Sequence, residues 1–135
     1  MSFVLDSSVA LAWVLPDEGN PYVDELLERL IAEGALVPPI WPLEIGNVLL
    51  VAVRRGRIQQ EEFEVVVERL SRLPVEVDIE ATDHALAGVL LLAAQLGLTT
   101  YDAAYLDLAQ RRNLPLATLD RRLRTACATA KLEVL

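Results

Sequence analysis

Four acidic side chains stand where an alternating strand and helix pattern would carry them to one edge of a sheet. Asp6 directly follows the apolar run Phe3-Val4-Leu5, and Asp120 directly follows Pro115-Leu116-Ala117-Thr118-Leu119. Glu44 lies one turn into a helix that opens at Pro42, after the run Ala35-Leu36-Val37. Asp102 starts the otherwise apolar segment Ala103-Ala104-Tyr105-Leu106. Each acid has a structural alternative: Asp6, Asp102 and Asp120 as helix caps, and Glu44 as a favourable charge at a helix N-terminus. If the four converge at mean separations of about 6 Å and an effective dielectric of about 20, each pair repels by roughly 2.8 kcal/mol. Six such pairs reach about 17 kcal/mol, at or above the whole stability of an ordinary domain. A converged cluster must take up protons or hold a cation.

The donors define which cation. An all-oxygen site without histidine or cysteine suits a hard ion, Mg²⁺ or Mn²⁺, that keeps several of its waters. Such ions activate water and stabilise charge on a phosphoryl group during in-line displacement. Asn47, one helical turn beyond Glu44, shares its face and is a candidate to orient it or a metal-bound water. Ser7, Ser8 and Thr118 offer hydroxyls close to Asp6 and Asp120, with capping or packing as their alternative.

The elements that must position these groups follow from periodicity and punctuation. Residues 2–5, 35–37, 75–77 and 115–119 read as short buried strands, with residues 132–134 as a possible fifth. Between them lie helices over residues 9–15, stopped by Pro16, and from Pro21 to Gly34, where Val23, Leu26, Leu27, Leu30 and Ile31 form an amphipathic stripe. Further helices run from Pro42 to Gly56 and from Gln59 to Pro74, the latter with Phe63, Val66, Val67 and Leu70 inward. A long helix over residues 81–96 is apolar on most sides and should be enclosed by protein or by a partner subunit. Gly97 ends it, Thr99 opens the next helix, and Asp120 caps the last. Short apolar strands alternating with amphipathic helices indicate an α/β domain with a parallel sheet, in whose open edge ligands collect at the strands' carboxyl ends.

Composition narrows the function. A chain of 135 residues with 53% apolar and 24% charged types suits one domain with its own core, not two, and rules out disorder. No repeat, low-complexity tract or linker is visible. The longest uncharged apolar run, residues 85–94, is about half a membrane span, and Asp6 interrupts any leader-like opening. A cytoplasmic protein with no membrane contact is expected. Cys127, the one cysteine, excludes an intramolecular disulfide and thiolate zinc clusters, and reads as a small core residue. His84, the one histidine, reads as structural and makes a Ser-His-Asp triad improbable. The net charge of −8 argues against charge-driven binding of nucleic acid over the whole surface, though not against a metal-holding enzyme with local arginine patches.

The acids, read with their neighbours, resemble a known family. Phe-Val-Leu-Asp-Ser-Ser-Val at the N-terminus, the Pro-Leu-Glu-Ile-Gly-Asn helix, Leu-Thr-Thr-Tyr-Asp-Ala-Ala-Tyr-Leu and Leu-Ala-Thr-Leu-Asp-Arg-Arg-Leu follow the order seen in PIN-domain ribonucleases. In length and spacing the chain looks most like the VapC toxins of toxin–antitoxin pairs, across essentially all of residues 1–135. The resemblance implies a single PIN-like domain, a three-layer α/β/α sandwich with a central, mostly parallel sheet of four or five strands. It implies Mg²⁺- or Mn²⁺-dependent endonucleolytic cleavage of RNA that leaves 5′-phosphate and 3′-hydroxyl ends. It also implies a homodimer and inhibition by a cognate VapB-like antitoxin. The family's acidic positions fall on Asp6, Glu44, Asp102 and Asp120, with Thr118 as the hydroxyl residue two places before the last acid.

Arginines supply candidates for the substrate. Arg54, Arg55 and Arg57, like Arg111 and Arg112, lie at helix C-termini, where the dipole favours cations. Arg121, Arg122 and Arg124 lie in a first turn, where positive charge is unfavourable, and adjoin Asp120. Phosphate steering explains that placement, with Arg121 and Arg122 as the candidate contacts. Trp13, Tyr22 and Trp41 read as packing residues before base-stacking ones. A phosphoacceptor receiver domain fits poorly, since Ser7 and Ser8 follow Asp6 and the only lysine is Lys131. Ser8 breaks the Asp-x-Asp of a haloacid-dehalogenase phosphatase, and no glycine pair makes a phosphate-binding loop. The remaining alternative is a non-catalytic module whose acidic pocket accepts a basic residue of a protein partner.

Overall fold

The computed structural model describes residues 2–80 and 84–135. Four strands, β1 (Phe3–Leu5), β2 (Ala35–Val37), β3 (Val75–Val77) and β4 (Leu116–Ala117), form one parallel sheet in the order β3-β2-β1-β4. Val4 is in register with Leu36 on one side and Leu116 on the other. β1 and β4 are apolar and fully buried, as parallel strands covered on both faces must be. The expected fifth strand is reduced to one parallel bridge between Leu116 and Val134.

Seven helices are described: α1 (Ser7–Val14), α2 (Pro21–Glu33), α3 (Trp41–Arg54), α4 (Gln60–Ser71), α5 (Leu90–Leu96), α6 (Thr100–Arg112) and α7 (Arg121–Thr129). Their ends carry the expected chemistry. Asn20 accepts a hydrogen bond from the Val23 amide at 3.0 Å with Pro21 in the first turn, and Gly34 at φ 74° closes α2. Val23, Leu26 and Leu30 of its stripe are buried, whereas Ile31 lies 68% exposed. On α4 the inward face is Val66 with Phe63 and Leu70 half-buried, and Val67 turns outward.

Right-handed crossovers place α1–α4 on one face of the sheet while the chain steps from β1 to β2 to β3. The return to β4, beyond β1, puts the later helices on the other face. Packing follows this division: α1 against α2 and α3, and α3 against α4; α6 against α5, α7 and β1. The result is the expected three-layer α/β/α sandwich. The direction of winding reverses between β1 and β4, which opens a crevice at their carboxyl ends. Asp6 and Thr118 stand at that crevice.

The helix expected over residues 81–96 is divided. Residues 81–83 lie outside the described residues, Ala85–Val89 form a π-helical turn, and α5 continues to Gly97, whose φ of 66° ends it. The His84 imidazole lies with Nε2 3.0 Å from Asp107 Oδ1 of α6. It lies so close over Gly88 that a Cβ there would sit 2.0 Å from His84 Nε2, so any larger residue must displace the imidazole. Enclosure of this segment within the chain is not what the structure has: Leu86 is 82% and Leu91 69% exposed. Leu86, with Leu43, Leu90 and Tyr101, borders an apolar hollow of about 500 Å³ lined also by Pro38, Pro39 and Val89.

Candidate active site

Asp6 stands at the N-terminal cap position of α1, yet its side chain makes no cap bond to the helix. Its Oδ2 instead accepts two hydroxyl donors, Ser8 Oγ and Thr118 Oγ1, each at 2.6 Å. Those hydroxyls are themselves acceptors: Ser8 Oγ for the Leu119 amide and Thr118 Oγ1 for the Asp120 amide, both at 3.0 Å. One buried carboxylate thus ties the start of α1 to the loop between β4 and α7. Burial pushes the Asp6 carboxyl above its ordinary range and the charge on Asp120 adds to this, against the two hydroxyls.

Asp102 is free of capping work because Thr99 does it, accepting the Asp102 amide at 3.1 Å. Its carboxylate is half-buried and raised by desolvation and then by the charges of Asp120 and Asp6, with Arg122 opposing. Glu44 is raised by desolvation and by Asp6 and Asp102. The Tyr105 hydroxyl donates to Glu44 Oε1, and the Ser7 hydroxyl faces the same pair. Asp120 does what a cap does, accepting the Leu123 amide on Oδ1 at 3.0 Å, while its charge reaches Asp6 and Asp102. Repulsion thus links Asp6 and Asp102 to each other and each of them to Glu44 and Asp120. Their helix-capping alternative survives at Asp120 only.

The supporting residues divide. Ser7 and Thr118 lie inside the group, and Ser8 joins them. Asn47 is exposed on α3 and makes no hydrogen bond to an acid among the described residues. Arg121 and Arg122 are exposed at the start of α7, beside a groove of about 520 Å³ that also includes Gln95, Gly97 and Thr125. Arg124 parts from them: also exposed, it donates to the Thr118 carbonyl at 2.9 Å. Tyr105 was not legible as a site residue. Its position one turn after Asp102, a polar tip within an apolar helix face, was the available sign.

The other conspicuous residues are structural. Trp13 Nε1 donates to the Val23 carbonyl at 2.6 Å, Tyr22 donates to the Leu135 carbonyl, and Trp41 is buried. Cys127 is a buried core residue whose thiol burial pushes up to about 11. Arg111 and Arg112 both hold Asp78, at 2.6 and 3.1 Å, and Arg111 also holds Asp107 at 2.8 Å.

A family model described as PIN domain matches residues 3–128. The chain belongs to the PIN-domain family. This PIN domain is 28% identical over 123 residues to Ribonuclease VapC3 of Pyrobaculum aerophilum, covering 91% of this chain and 92% of that one. Among solved structures it resembles PAE2754 from Pyrobaculum aerophilum, with a TM-score of 0.62 and 27% identity over 93% of this chain and 87% of the other. It also resembles FitAcB from Neisseria gonorrhoeae, with a TM-score of 0.69 over 100% of this chain and 96% of the other. At 21% identity that second likeness concerns the fold alone.

Proposed function

We propose that this PIN domain is a VapC-type toxin, an endoribonuclease that holds Mg²⁺ or Mn²⁺ on Asp6, Glu44, Asp102 and Asp120 and is neutralised by a cognate VapB-like antitoxin in the cytoplasm. The observation that carries the reading is the shared crevice, in which Asp6, Glu44 and Asp102 are all raised first by burial and then by acidic neighbours: Asp120 for Asp6, Asp6 and Asp102 for Glu44, Asp120 and Asp6 for Asp102. Oxygen donors alone, partly desolvated and repelling, are the donor set of a hard divalent ion. No group of three or more His, Cys, Asp or Glu side chains among the described residues is posed around a common point, so holding an ion would require the carboxylates to move closer together. Similarity to a ribonuclease over nine-tenths of both chains favours RNA as the substrate.

A bound ion supplies a polarised water and offsets charge on the scissile phosphate. The chain's own residues do the rest. Ser8 and Thr118 fix Asp6 by one oxygen, and Tyr105 does the same for Glu44. Any of the four carboxylates stands ready to take a proton from water. Arg122, close enough to Asp102 for its charge to be felt there, and Arg121 beside it receive phosphates next to the scissile one.

The exposed apolar face around Leu43, Leu86, Leu90 and Tyr101 fits the contact of a homodimer, since apolar patches of this kind mark interaction surfaces. Among the described residues no single helix is long and apolar enough to cross a membrane.

The test is cleavage of total RNA with Mg²⁺, Mn²⁺ or chelator, with the new 5′ ends mapped. Expected is cleavage at defined sites that stops with chelator and in Asp6→Asn and Asp102→Asn, both folded. Cutting that persists in those variants overturns the assignment of catalysis to these acids, and none with either metal favours the non-catalytic binding module.

A further inference from the structure

We infer that Tyr105 is a positioning residue of the acidic site: its hydroxyl holds one oxygen of Glu44, turning the carboxylate so that the other oxygen faces the metal-binding crevice. The inference rests on the metal-dependent reading above. Asp102 and Tyr105 lie three residues apart on α6, so they share a face of that helix. One rigid element thus serves two acids: it carries Asp102 itself, and it grips Glu44 of α3 through a phenol. The Tyr105 ring is fully buried and packs in the main core, which fixes where the hydroxyl sits. Glu44 is the acid that most needs such a hold. It projects from the fourth residue of α3 on three rotatable bonds, whereas Asp6 is short and already gripped by two hydroxyls. A carboxylate left free near three others would swing to solvent, away from their charge. The phenol keeps it in the group at the expense of side-chain freedom already surrendered by the buried ring.

The experiment is Mn²⁺ binding to metal-free protein, read as free Mn²⁺ by electron paramagnetic resonance. It compares wild type, Tyr105→Phe, Glu44→Gln and the double variant, each checked for folding by thermal melts. Expected is a loss of Mn²⁺ affinity of about tenfold or more in Tyr105→Phe. Expected in the Glu44→Gln background is less than about a twofold further change, because the hydroxyl acts only through Glu44. Equal affinity in wild type and Tyr105→Phe overturns the inference, as does the same loss in both backgrounds. Wild type that binds no Mn²⁺ fails the metal reading itself, and this inference with it. Where Tyr105→Phe does not fold, nuclear magnetic resonance of the unaltered protein decides. The Tyr105 hydroxyl proton should be visible, close to the Glu44 side chain, and should shift at saturating Mg²⁺. A resonance that stays in place at saturation overturns the inference.

Discussion

Thr118 donates a 2.6 Å hydrogen bond to Asp6 across 112 residues of sequence, and the two lie on neighbouring strand ends where the sheet reverses its winding. This contact places the start and the finish of the fold in one site. It also explains why Asp6 stays buried without capping its own helix: two hydroxyl donors take the place of the helix amides. The carboxyl has one oxygen engaged by the two hydroxyls.

Burial and mutual repulsion raise Asp6, Glu44 and Asp102, so the metal-free folded state binds protons more readily than the unfolded chain. Stability from these three is full below their ordinary values near 4 and is lost as pH rises through their raised folded values. In chelator, the melting temperature is therefore expected to climb as pH falls from 8 toward about 5. Asp78 sets the lower limit: burial opposes its ionisation, but Arg111 and Arg112 hold it below its ordinary value, so its contribution disappears only in stronger acid. With saturating Mg²⁺ the slope between pH 5 and 8 should flatten or reverse. Melts across pH with and without Mg²⁺ check this, and a chelator curve that is flat over that range refutes it.

Arg111→Ala should cost about 3 kcal/mol, since it strips the buried Asp78 and Asp107 of their closest partner, leaving Asp78 to Arg112 and Asp107 to His84. The pairs sit at the far end of α6 from Asp102. Urea denaturation measures the loss, and RNA cleavage by the fraction still folded should stay within about twofold of wild type. A stability change under about 1 kcal/mol would show the network to be dispensable.

Gly88→Ala has a sign that depends on His84. In wild type the new Cβ, 2.0 Å from the imidazole, must push the ring off Asp107, and the protein should lose up to about 1 kcal/mol. In His84→Ala, the same substitution meets no ring and should stabilise by roughly 0.5–1 kcal/mol, the usual gain for replacing a helical glycine. A double-mutant cycle on melting temperature tests the reversal. Equal effects in both backgrounds would remove the steric explanation.

Charge reversal of Arg121 and Arg122 to glutamate should leave the fold intact, because both side chains are exposed, and should weaken RNA binding by at least about tenfold. The salt dependence of binding should become shallower by one to two counterions. Arg124→Glu should behave differently and destabilise the protein, since that arginine holds the Thr118 carbonyl. Unchanged affinity and cleavage in the first variant would assign Arg121 and Arg122 to the surface alone.

The strand ends, and with them Asp6, Asp102 and Asp120, were legible because short apolar runs and helix caps are local features. Thr118 was legible from its place two residues before Asp120. Tyr105 was not, because an aromatic within Ala-Ala-Tyr-Leu-x-Leu reads as core, and Tyr105 is core along its ring and site at its tip. Arg124 was grouped with Arg121 and Arg122 by sequence proximity. Three residues on along a helix, it points toward the C-terminal segment, which helical spacing alone does not reveal. The π-turn was hidden for a related reason: an apolar run gives the same pattern whichever turn it adopts, and only the fit of His84 over Gly88 separates the two. The outward face of Leu86 and Leu91 was half legible, since an all-round apolar helix must be covered by something, though not by this chain.

The claim on which these readings depend is that the carboxylates of Asp6, Glu44, Asp102 and Asp120 close around a divalent ion. Its most direct test is a crystal soaked in Mn²⁺ and measured at an anomalous wavelength. A peak in the crevice within about 2.0–2.3 Å of oxygens from Asp6 and at least one other of the four, absent from Asp6→Asn crystals, is the expected result. An empty crevice at saturating Mn²⁺, with the four side chains posed as they are without metal, would contradict it.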